Sequence, residues 1–128
     1  MLNINKYVDI KTLDKEAKKD YIDRHSAFIE CDTEITKGEM LTVTVRVGDE
    51  YPHPDDFDHY ISYVQIYNGQ TLLAQANFEP GAVFGNGGKG NLRVTFNVIA
   101  NKNLSLTAMA YCTKHGLWES DTVKVSAK

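Results

Sequence analysis

Four histidines and two cysteines are the residues of this 128-residue chain best suited to hold a metal or to move protons. Cys112 stands three positions before His115 in Tyr111-Cys112-Thr113-Lys114-His115-Gly116-Leu117-Trp118. At that spacing a thiolate and an imidazole reach one ion from a single turn. His53 and His59 flank the loop Pro54-Asp55-Asp56-Phe57-Asp58, and Pro52 and Pro54 stiffen the backbone on both sides of His53. His25 falls just ahead of a strand-like run that starts at Ala27. None of the four lies mid-strand; all sit in connections, where a rigid scaffold displays binding groups.

The donor set narrows the metal. A structural zinc takes four ligands and a catalytic zinc usually three, so four imidazoles and a thiolate would leave a donor unused. A blue-copper site takes two histidines, a cysteine and a weak axial group; Met109 is near Cys112, yet two histidines would then be idle. Non-haem iron accepts five nitrogen and sulfur donors and keeps a sixth position open, with an electron-rich thiolate opposite it. Copper stays open on residue types alone.

These connections require a rigid frame. Leu41-Thr42-Val43-Thr44-Val45-Arg46-Val47 alternates strictly, the period of a strand with one buried face, and is rich in β-branched residues. Strand-like runs follow at Tyr60 to Tyr67 and Thr71 to Phe78, with Asn68-Gly69 between them as the central pair of a type I′ hairpin. Leu92 to Ile99, Leu104 to Tyr111 and Thr122 to Val125 continue the pattern, and Ala27 to Cys31 adds a first strand. Between Thr12 and Asp23 the apolar residues Leu13, Ala17 and Tyr21 recur every fourth position, predicting a short amphipathic helix that Thr12 caps. The expected architecture is all-β: an immunoglobulin-like antiparallel β-sandwich of about seven strands with a short N-terminal helix, in one domain spanning residues 1–128.

His53-Pro54, His59-Tyr60-Ile61 and Cys112-Thr113-Lys114-His115-Gly116-Leu117-Trp118-Glu119 resemble the iron-site motifs of superoxide reductases, the family of neelaredoxins and of the iron domain of desulfoferrodoxin. The resemblance runs from about Asp23 to the C-terminus. It implies one iron per chain, cycling between Fe(II) and Fe(III), with equatorial nitrogens from His25, His53, His59 and His115 and an axial sulfur from Cys112. It implies reduction of superoxide to hydrogen peroxide, a rubredoxin-like electron donor, and a homo-oligomer, tetramer or dimer. Members commonly carry Glu-Lys-His at the first ligand, and this chain has Asp23-Arg24-His25. Asp23 is one methylene shorter than the glutamate that can occupy the open site of oxidised iron. Arg24 keeps the positive charge that attracts the anion, in a more weakly hydrated form, and Lys114 adds a second. Thr113 replaces the usual asparagine beside the sulfur, where hydrogen bonding tunes the reduction potential. Asp55, Asp56 and Asp58 would repel superoxide if they faced the iron and are expected to face solvent.

Composition excludes other classes. The chain is 42% hydrophobic and 24% charged, as expected for a globular domain rather than a disordered or coiled-coil chain. A net charge of −3 offers no overall attraction for nucleic acid or an anionic membrane. The charge-interleaved N-terminus lacks the apolar core of a secretory peptide and no run approaches the ~20 apolar residues of a span, so a cytoplasmic protein is expected. Gly85-Asn86-Gly87-Gly88-Lys89-Gly90 satisfies G-x-G-x-x-G, but a strand rather than a helix follows, and a flexible loop is the expectation. Cys31 is expected as a buried structural thiol and Trp118 as packing against the site. The reading from another class is a non-catalytic immunoglobulin-like module that uses the same donors to hold zinc for structure or partner binding.

Overall fold

The computed structural model describes residues 24–49 and 51–128, together with the short strand Asn5–Lys6. In chain order the strands are β1 (Asn5–Lys6), β2 (Ala27–Glu30), β3 (Glu34–Ile35), β4 (Met40–Val47), β5 (His53–Pro54) and β6 (Ile61–Asn68). They continue as β7 (Thr71–Asn77), β8 (Lys89–Gly90), β9 (Arg93–Ile99), β10 (Leu104–Cys112), β11 (Gly116–Glu119) and β12 (Val123–Ala127). All seven strand-like runs of the sequence recur, and the additional strands are only two to four residues long. Those short segments are set by tertiary pairing, which leaves no periodic pattern to read. No helix occurs among the described residues. The helix expected over residues 12–23 lies outside them.

β10 is the spine of the larger sheet. One of its edges pairs antiparallel with β6, which continues into β7; along the other it pairs with β12 at its start and β11 at its end. The smaller sheet is β2-β4-β9, and β5 pairs with β8 as a separate ribbon. The pairing is not wholly antiparallel, because β1 runs parallel to β11 and β3 parallel to β12. Both exceptions are two-residue strands that reach their partners from distant parts of the chain, so no hairpin dictates their direction.

Alternation decides the core. Leu41, Val43, Val45 and Val47 of β4 are buried, as are Leu104, Leu106, Ala108, Ala110 and Cys112 of β10, and they join Val64 and Ile66 of β6 in one cluster between the sheets. Each buried valine or leucine contributes about 1.5–3 kcal/mol. Cys112 is the last inward-facing residue of β10, so the alternation that builds the core also delivers the thiol to its end. Opposite it the β6 register shifts: Tyr111 pairs with Tyr63 and Cys112 with Ile61, leaving Ser62 as an extra residue. Such a bulge re-aims the chain entering β6, which carries His59.

The β6–β7 hairpin departs from the expected turn. Asn68 pairs with Thr71, so the central pair is Gly69-Gln70 rather than Asn68-Gly69. Gly69 has φ +59°, and no non-glycine residue among those described has a positive φ, the pattern of a type II′ turn. A type I′ turn here would force Gln70 into the left-handed region. Asn68 instead braces the larger sheet, its Oδ1 accepting from the Ser105 N–H at 2.9 Å.

Candidate metal centre

Cys112 and His115 converge through a tight hairpin. Cys112 pairs with Gly116 across a three-residue turn, and Gly116 takes φ +85°, the left-handed position such a loop requires. His53 enters from β5, His59 from the loop after it, and His25 from the residues that lead into β2. Backbone bonds fix each approach. Asp56 and His59 exchange N–H···O bonds of 3.0 Å, closing the loop beneath His59, and Gly48 donates to the Ser26 carbonyl at 2.8 Å beside His25.

The four imidazoles form a square. Neighbouring ring centroids are 4.8 Å apart for His25–His53, 4.9 Å for His53–His59, 5.0 Å for His59–His115 and 4.5 Å for His115–His25. Adjacent rings meet at 65–78°, whereas His25 and His59, across the diagonal, are 6.0 Å apart and within 27° of parallel. Ligand atoms of His25, His53, His59 and Cys112 lie within 4.8 Å of one another. His25 Nε2 and His115 Nδ1 are 2.9 Å apart; Cys112 Sγ is 3.3 Å from His53 Nε2 and 3.8 Å from His115 Nδ1.

These atoms fit a bound metal. Two nitrogens at right angles, each about 2.1 Å from an ion, are about 3 Å apart, the separation of the His25–His115 pair. His59 Nε2 is buried and has no hydrogen-bond partner among the described residues. Such an orphan is costly unless an ion takes its lone pair. His53 Nδ1 lies 2.6 Å from the Pro54 carbonyl, which can only accept, so Nδ1 carries the proton and Nε2 offers its lone pair to the centre. A square of four nitrogens with a sulfur beside it makes five donors, more than tetrahedral zinc takes.

Electrostatics keep the donors ready. Burial pulls His53 down to about 4, opposed by the Pro54 carbonyl and reinforced by the charges of His59, Arg24 and His115. His59 is lowered too, first by burial and then by the charges of His115 and Lys114. Both imidazoles are therefore neutral at pH 7 in the metal-free protein. Burial pushes the Cys112 thiol up, and the backbone N–H groups of Lys114 and His115 and the Lys114 charge pull the other way. A metal must displace that proton, so binding releases it.

The surroundings are uneven. His25 and His53 are buried and His59 and His115 half-buried, so the His59–His115 side is the more exposed side of the centre. Trp118 stacks on His25 at 5.4 Å and its Nε1–H donates to the His115 carbonyl at 3.2 Å, so one indole braces two donors. Arg24 is half-buried beside His25, and Lys114 is exposed. Asp23 lies outside the described residues. Cys31 is free and half-buried, not fully buried as expected, because it stands just beyond the end of β2.

Two roles were not legible in the sequence. Thr113 is exposed, and its Oγ1 accepts from the Tyr60 N–H at 3.2 Å while its own N–H donates to the Tyr60 carbonyl at 3.0 Å. It latches the His59 segment to the Cys112 turn. Asp58 faces solvent as expected and Asp56 is half-buried, but Asp55 is buried, 5% exposed. Its Oδ2 accepts from the N–H groups of Val83 at 3.0 Å, Phe84 at 2.7 Å and Gly85 at 3.2 Å. Those partners lie 28 to 30 positions away, where no local pattern reaches.

Known proteins resemble this chain in sequence and fold. The superoxide reductase of Pyrococcus furiosus is 30% identical over 110 residues, 77% of this chain and 86% of that protein. The neelaredoxin of Megalodesulfovibrio gigas is 29% identical over 109 residues, 77% of this chain and 84% of that protein. A solved superoxide reductase (neelaredoxin) from Ignicoccus hospitalis superposes with a TM-score of 0.74 at 26% identity, covering 100% of both chains. Residues 12–121 match the desulfoferrodoxin family, a span that contains every donor of the imidazole square and its thiol, and this chain belongs to that family.

Proposed function

We propose that this chain is a superoxide reductase, an oxidoreductase that reduces superoxide to hydrogen peroxide at a mononuclear non-haem iron. The observation that carries the reading is the square of His25, His53, His59 and His115 with the buried Cys112 sulfur against it. The five residues are the proposed ligands, one iron to a chain, in a single immunoglobulin-like sandwich domain over residues 1–128. Iron held there supplies one-electron chemistry between its ferrous and ferric states, and one superoxide, one electron and two protons give one hydrogen peroxide.

The chain's own residues set the conditions. Cys112 supplies a sulfur shielded from water, so its negative charge is directed to the metal rather than spent on solvent. Arg24 and Lys114 place positive charge near the half-buried His59, where a small anion approaches; both bear on its titration. Asp23 is the candidate for carboxylate ligation of the oxidised centre. Protons enter from solvent on the His59–His115 side. A rubredoxin-like carrier as electron donor, a dimeric or tetrameric assembly and a cytoplasmic location complete the reading. Among the described residues no helix is long and apolar enough to cross a membrane.

The direct test loads the metal-free protein anaerobically with ferrous iron alone, adds a mild oxidant and records the visible spectrum. An intense thiolate-to-ferric band is expected, followed by rapid consumption of superoxide. Absence of the band would overturn the reading. Metal removal separates it from a structural zinc module: a core shared by two sheets should keep the metal-free protein folded, whereas a metal-dependent module unfolds. Arg24→Ala is expected to slow superoxide association on the order of threefold to tenfold at low ionic strength and to flatten its salt dependence. Rapid-mixing rates across a salt series check this, and unchanged rates would remove Arg24 from steering.

A further inference from the structure

The glycine-rich segment that fits no nucleotide site is fastened to the His53 loop along its whole length. His53 pairs with Gly90 and Pro54 with Lys89. The Asp55 N–H donates to the Gly88 carbonyl at 3.0 Å, Asp56 Oδ1 accepts from the Gly87 N–H at 2.9 Å, and the Phe57 N–H donates to Asn86 Oδ1 at 3.0 Å. At the centre of this seam the buried Asp55 carboxylate gathers three consecutive backbone N–H groups, from Val83 to Gly85. Charge-assisted bonds of this kind are about twice as strong as neutral ones.

The clamp also shapes the wall of a cavity beside the proposed ligand His53. Phe84 is carried by the segment Asp55 holds, and its ring lies against Gly90, where a Cβ would come within 2.5 Å of it. Phe84 thereby closes a small apolar cavity on the side of His53, with Ile61 and Leu92. His53 is held from the same strand: its Nδ1–H donates to Pro54, whose neighbour is Asp55.

We propose that Asp55 is a positioning residue for the metal ligand His53, fixing β5 and the Phe84 wall by binding the 83–85 backbone, so that metal retention depends on it. This rests on the metal-centre reading above. The loop is then a clasp, not the flexible connection expected from its glycines. Those glycines allow a backbone to approach a carboxylate and a ring closely enough to be held.

The test compares the parent protein with Asp55→Asn, Asp55→Ala and Asp58→Ala, each loaded with ferrous iron. Asp58 is the exposed carboxylate of the same loop and controls for lost charge. Two quantities are read: the rate at which iron passes to a chelator, and the position of the thiolate-to-ferric band after oxidation. Iron release at least about tenfold faster for Asp55→Ala is expected, as is a shifted band, because losing an outer support of a ligand typically weakens metal binding 10- to 100-fold. Asp55→Asn keeps the shape and one acceptor and should fall between; it carries the test if Asp55→Ala does not fold. Asp58→Ala should match the parent. A parent that takes up no iron would overturn the metal reading itself. If the parent holds iron and the Asp55 variants release it at the parent rate with the parent band, or if Asp58→Ala releases it equally fast, the clasp is overturned.

Discussion

Cys112→Ser, loaded with iron, is expected to lose the thiolate-to-ferric absorption band entirely and to reduce superoxide about 100-fold more slowly or worse. A serine hydroxyl has neither the softness nor the low proton affinity of a thiol, so at neutral pH it offers iron a weak neutral oxygen. The site around it stays in place. Cys112 is fully buried at the end of β10, and replacing sulfur by oxygen there changes little volume, so the sandwich and the imidazole square should survive. The loss is therefore electronic. Metal content by elemental analysis, the visible spectrum and superoxide decay by rapid mixing check it together. An iron-loaded Cys112→Ser protein that keeps the parent rate would remove the thiolate from the proposed chemistry.

Acidification of the metal-free protein is expected to cost about 3 kcal/mol of stability between neutral pH and pH 4. His53 titrates near 4 in the folded protein, below the ordinary 6.5, because burial penalises its charged form. The folded state therefore binds fewer protons than the unfolded state throughout that window. Stability is full above pH 6.5 and is lost as pH falls toward 4, at about 1.4 kcal/mol per unit. His59 is lowered for the same first cause and adds in the same direction. Glu30, held low by its bond to Arg46, adds a smaller loss at the acid end. Bound iron competes with protons for the imidazole lone pairs, so the loaded protein should keep its stability further into acid. Urea melts from pH 7 to pH 4.5, with and without iron, decide the matter. A flat metal-free profile would contradict the neutral, buried His53.

The two expectations share an origin in where the sandwich stops. Alternation along β10 buries every second residue to Cys112, and the chain then turns at once, so the thiol belongs to both the core and the centre. A donor in that place is dry, which raises the cost of charging it and increases what a metal gains by binding it. His59 and His115, on the loops beyond the sheets, stay half-buried, and theirs is the side on which the proposed reaction would admit a small anion.

Much of this was determined by local sequence. Strict alternation over Leu41–Val47 specified β4 and its buried face, because a period of two allows only one register toward a core. Cys112 and His115, three residues apart and followed by Gly116, specified a turn that brings sulfur and nitrogen to one point. All four histidines fall outside the long alternating runs, which marked them as a set; the structure keeps His25, His59 and His115 in connections, while His53 joins the two-residue strand β5, whose pairing with β8 no local pattern encodes. What only the tertiary structure decided is everything carried by contacts between distant residues. The square of imidazoles joins His25 to His115 across 90 positions at 2.9 Å, and Trp118 braces both, which no spacing in the chain encodes. The short parallel strands and the burial of Asp55 share that cause. A carboxylate in an acidic loop reads as solvent-facing until three N–H groups from a glycine-rich segment 28 to 30 residues away fold over it. Periodicity reports which face of an element is apolar; which elements meet, and what they hold between them, is settled by packing and by the need to pair every buried polar group.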